Sequence, residues 1–103
     1  MSDRELLELA AKAAGLKPAT NQLGESGVCD LYGSGWFAWN PLTDDGDALR
    51  LAISAKVDLE FGQEYTTASA YTHKGYVGAF QEKHSNTRRA IVRAAAEIGR
   101  LMP

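Results

Sequence analysis

Asp44, Asp45 and Asp47 crowd into four positions around Gly46. Carboxylates so placed suit a hard divalent cation, since Mg²⁺ takes one or two of them and Ca²⁺ gathers more oxygens. The later ligands and the closing glutamate of an EF-hand are absent. The plainer reading is a helix N-terminus dressed with acids, where the helix dipole favours negative charge. His73 and His84 are the only imidazoles and Cys29 the only thiol. Zinc would need all three plus a carboxylate, drawn from separated segments. A Cys–His pair is a possible nucleophile. Plainer roles fit each: His73 falls in a turn, His84 precedes a helix cap, and Cys29 is a small hydrophobe in a strand. No catalytic residue, metal ligand or cofactor is assigned.

Two further sets of residues have binding chemistry. Arg88, Arg89, Arg93 and Arg100 give the last helix a basic side, and Arg88, Arg89 and Arg93 are its candidate phosphate contacts. The formal net charge of −2 weighs against an affinity built mainly on phosphate. A helix–three strands–helix skeleton is similar in topology to a double-stranded-RNA-binding domain. Such a domain begins its last helix with lysines, and a shared fold does not carry function. Tyr32, Trp36, Phe37 and Tyr71 lie near glycine-rich turns. Exposed together they would mark a protein-binding patch, because aromatics are enriched there. Tyr32, Trp36 and Tyr71 are the candidates, against the plainer reading of a core on two sheet faces.

These residues hang on a short list of elements. Ser2-Asp3-Arg4-Glu5 has the form of a capping box. Leu6, Leu9, Ala10, Ala13 and Ala14 follow at helical spacing, with Gly15 placed to end the helix. Residues 17–27 are polar and read as a loop. Residues 28–32 and 36–39 read as two strands about a Gly33-Ser34-Gly35 turn, with one bulged, bent strand as the alternative, and Trp39 is the tryptophan expected in the core. Pro41 stops the strand, and Thr43 or Asp44 caps a helix over residues 44–56. That helix is expected to be central and well buried. Leu49, Ala52 and Ile53 form one row, and Ala48, Leu51 and Ala55 the next. Val57, Leu59 and Phe61 then alternate with Asp58 and Glu60, which is the pattern of a strand with one wet face. Residues 66–72 and 76–80 make a hairpin about 73–75. Ser85 or Asn86 caps a last helix with Ile91, Ala94, Ala95, Ile98 and Met102 as its buried stripe.

The order is α-β-β-α-β-β-β-α, an α+β layered sandwich in which three helices cover an antiparallel sheet. With 103 residues, 45% of them hydrophobic, one domain with one core is expected. One cysteine rules out an internal disulfide. No apolar run reaches the roughly 20 residues of a membrane span, and the acidic, helical N-terminus is unlike a signal peptide. A cytoplasmic location is expected.

The stretch WNPLTDDGDALRLA, residues 39–52, resembles small proteins carried by bacteriophages and prophages. TRRAIVRAAAEIG, residues 87–99, is similar to the C-terminal helix of the same group. Together they cover about a quarter of the chain. The group looks like the phage ABA sandwich proteins, in which helices cover both faces of an antiparallel sheet. The resemblance implies origin and architecture. It brings no reaction, so it names no catalytic residue. A phage accessory protein that binds a host factor or itself is the first expectation, and a nucleic-acid-binding module the second.

Overall fold

In the computed structural model the described residues are 1–30 and 35–103. Tyr32 and most of the expected Gly33-Ser34-Gly35 turn fall outside them. The elements run α1 (Asp3–Ala13), β1 (Leu16–Thr20), β2 (Ser26–Asp30), β3 (Trp36–Ala38), α2 (Asp45–Ala55), β4 (Asp58–Phe61), β5 (Tyr65–Thr72), β6 (Gly75–Lys83), a 3₁₀ turn at His84–Asn86, and α3 (Thr87–Leu101). The class is α+β, with antiparallel strands and the expected elements in their expected order, plus one strand. The strands divide into two sheets, β1-β2-β3 and β4-β5-β6.

One strand is added where a loop is expected. Residues 17–20 pair with β2, in a register that sets Pro18 opposite Val28. Lys, Pro and Ala are poor strand formers, and proline lacks a ladder donor. An edge strand tolerates that loss, and β1 is an edge. Pairing, not local preference, therefore makes this segment extended. Gly15, at φ +76°, swings the chain out of α1 and directly into β1 in a left-handed conformation that glycine adopts without a Cβ penalty.

α3, not α2, is the central helix. Ala90, Ile91, Val92, Ala94, Ala95, Ala96, Ile98 and Gly99 are all buried, which leaves little of its circumference wet. It carries β5 and β6 on one side and packs against α1 and α2 on others, while α1 in turn carries β1. Small residues make this possible. A Cβ on Gly99 would sit 2.0 Å from the Leu9 carbonyl oxygen, so α1 and α3 meet backbone to backbone. Met102, expected in the stripe, lies past the helix end and is exposed.

The stripe of α2 splits for the same reason. Ala48, Leu51, Ala52 and Ala55 are buried, but Leu49 and Ile53 are 57% and 68% exposed. The helix leans on α3 and α1 and leaves its other apolar row uncovered. β4 shows the matching effect. Val57 is buried, Leu59 half-buried, and Phe61 64% exposed, so the alternation gives the right side but the cover runs out. In β5, Thr66, Ala68 and Ala70 are buried, whereas Tyr65 and Tyr71 on the opposite side are exposed and Thr67 and Ser69 are half-buried. The helices thus lie on one face of this sheet. Trp39 packs against the core as expected.

Candidate functional site

The three candidate arginines point in different directions and each meets a partner. Arg88 donates from Nε to the Leu42 carbonyl at 3.0 Å and from Nη1 to Asp45 at 2.6 Å. Arg89 donates to Asp3 at 3.0 Å. Arg93 donates to Glu82 at 2.6 Å, and its guanidinium lies 5.0 Å from the centre of the Phe80 ring. Arg100 pairs with Glu97 one turn back, and that hydrogen bond holds the Glu97 carboxyl below its ordinary pKa. Arg88 thus ties α3 to α2, Arg89 ties it to α1, and Arg93 ties it to β6. Partly exposed pairs of this kind contribute roughly 0–1 kcal/mol each. Their positive charge faces carboxylates of the same chain.

Trp36 and Tyr71, the described aromatic candidates, do not gather. Trp36 is half-buried in β3, with its indole N–H donating to the Ala19 carbonyl at 3.3 Å. Its ring lies over Gly27, where a Cβ would come within 2.6 Å of the indole. This ring closes the first sheet. Tyr71 belongs to the second sheet and meets Tyr76 edge to face, with ring centroids 5.8 Å apart. Tyr32 lies outside the described residues.

The acidic run serves the backbone. Asp44 is the N-cap of α2, accepting from the Asp47 N–H at 2.8 Å. Asp47 accepts from the Asn40 N–H at 2.9 Å and from Arg50 at 2.8 Å. Among the described residues, no three His, Cys, Asp or Glu side chains gather as a metal site would. Cys29 lies in β2 of the first sheet, whereas His84 Nε2 is 3.1 Å from the Tyr65 carbonyl at the end of the second. A cavity of about 480 Å³ opens between α1 and the first sheet, lined by Leu7, Val28 and Trp39 among others. Its charged groups, Arg4 and Glu8, pair with each other at 3.1 Å.

What the fold does assemble is an apolar face between α2 and β4. Leu49, Leu59 and Phe61 line a depression of about 500 Å³ whose far wall includes Ile91 and His84. Leu49, Ile53, Val57 and Leu59 line the next one along. Phe61 meets His84 edge to face at 6.5 Å between centroids. The two depressions share Leu49 and Leu59, so they form one groove beside β4. The signal for it in the sequence was the width of the α2 stripe, which exceeds what neighbours on one side can cover. No protein-family model, curated protein or solved structure matches the chain. No helix is long and apolar enough to cross a membrane among the described residues.

Proposed function

We propose that this chain is a phage or prophage accessory protein that works without catalysis, by docking a protein partner on the α2–β4 face. The observation that carries the docking is the exposure of Leu49, Ile53 and Phe61 around one shared groove. Singly exposed apolar side chains are ordinary, but a contiguous group of large ones rimmed by polar residues marks an interaction surface. The phage origin rests on the resemblance of residues 39–52 and 87–99. The cytoplasm of a bacterial host is the proposed location, with which a lone thiol agrees. A nucleic-acid role for α3 is the weaker reading, because its arginines would first have to leave Asp45, Asp3 and Glu82.

The test compares the parent chain with a Leu49→Glu/Ile53→Glu variant in crosslinking from host lysate. The docking reading expects a crosslinked protein that the variant loses while remaining folded. The same set of crosslinks from both chains would remove the face from the argument.

A further inference from the structure

We infer that the partner docks as an extended strand, alternating apolar with Lys or Arg residues, that adds to the free edge of β4. This rests on the docking reading above and specifies what fills the groove.

The backbone makes the first case. β4 pairs with β5 alone, so its other edge is open among the described residues. The Gly62 N–H donates to the Tyr65 carbonyl at 2.8 Å, which makes these two a hydrogen-bonded pair at the hairpin turn. Antiparallel pairs alternate in type. In the register Phe61↔Thr66, Glu60↔Thr67, Leu59↔Ala68 and Asp58↔Ser69, Glu60 and Asp58 therefore bond to β5. The N–H and C=O groups of Leu59 and Phe61 point the other way, to the open edge. An added strand bonds to those two residues, as in other strand-addition complexes.

The side chains make the second case. Leu59 and Phe61 share the side on which Ala68 and Thr66 face the core. α2 flanks the same groove with Leu49 and Ile53. A strand beside β4 would lay every second side chain against these four residues and close the uncovered row of α2. Its other side chains would fall beside Asp58 and Glu60, which are exposed on the wet face. Neither acid meets a cation among the described residues. Opposite charges across adjacent strands attract, and like charges destabilise. A second copy of β4 would set acids against acids, so the charge selects a basic partner over self-pairing and guards the edge against it.

The experiment selects a random linear peptide library on the immobilised full chain, then follows amide hydrogen exchange in the selected complex. We expect enriched peptides that alternate apolar residues with Lys or Arg. The Leu59 and Phe61 amides should slow by about tenfold or more as they acquire partners. Asp58→Lys/Glu60→Lys should weaken the best peptide by about tenfold. Peptides with helical spacing, or binding that Leu49→Glu/Ile53→Glu abolishes while both amides stay fast, would overturn strand addition and leave the docking face standing. No peptide whose capture depends on Leu49 and Ile53 would remove both. A dimer of the chain that protects the same amides would assign the edge to a second copy and overturn the basic partner.

Discussion

Among the described residues, Thr66 is the buried polar side chain of the core, with no exposed surface. Its hydroxyl lies 2.7 Å from that of Thr87, and the Thr87 hydroxyl donates to the His84 carbonyl at 2.9 Å. Thr87 has one proton and has used it, so Thr66 is the donor between the two. The substitutions should then be unequal. Thr66→Val removes a donor, and its cost should be about 1 kcal/mol in urea unfolding. Thr87→Val orphans a fully buried hydroxyl and should cost more, about 1–3 kcal/mol. Equal losses would mean that the Thr66 hydroxyl finds another partner once Thr87 is gone. Glu97 adds a pH effect at the same scale. Arg100 holds its carboxyl below the ordinary 4.5, so its contribution is present above that pH and is lost as pH falls through the lowered value. Glu97→Gln should remove that part of the acid dependence, a change on the order of 1 kcal/mol or less in stability measured against pH.

At the scale of elements, close approach governs α1 and α3. Gly99→Ala places a methyl 2.0 Å from the Leu9 oxygen, and backbone cannot swing aside as a long side chain can. Thermal or urea unfolding should show a loss of about 1–3 kcal/mol. A neutral result would mean the helices separate freely. On α2 the two rows should behave differently. Leu51→Ala, in the buried row, should cost about 2–5 kcal/mol. Leu49→Glu or Ile53→Glu should stay within about 0.5 kcal/mol of the parent, because their side chains are already in water. The helix periods were plain in the sequence, as was the 73–75 turn, where Gly75 sits at φ +109°. The β1 strand was not, since Pro18 argues locally against it and only pairing with Val28 supports it.

Across the whole molecule, α3 is the hub, and its three arginines reach Asp45 at the start of α2, Asp3 at the start of α1, and Glu82 in β6. Reversing Arg88, Arg89 and Arg93 together to Glu should lower stability by about 1–2 kcal/mol through three lost surface pairs. Retention on a phosphate column or on duplex nucleic acid should be unchanged. A salt-sensitive affinity that vanishes in this variant would instead restore the nucleic-acid reading. The candidate site divides in the same way. The sequence pointed to the arginines and the aromatics by residue type, but type does not report a partner. Asp3 is 86 residues from Arg89 in the chain, and no local pattern announces such a pair.

Alternation, capping and helical spacing depend on neighbours a few residues apart, so the chain itself declared the α+β class, a cap at Thr43 or Asp44, the strand stopped near Pro41 and the side on which Phe61 would face. Coverage depends on which distant elements meet. Only the assembled structure decided that α3 holds the centre, that the strands part into two sheets, and that Leu49, Ile53 and Phe61 are left beside an edge with which no described strand pairs. The physical reason is that burial is a property of the whole packing arrangement, while periodicity belongs to the segment alone.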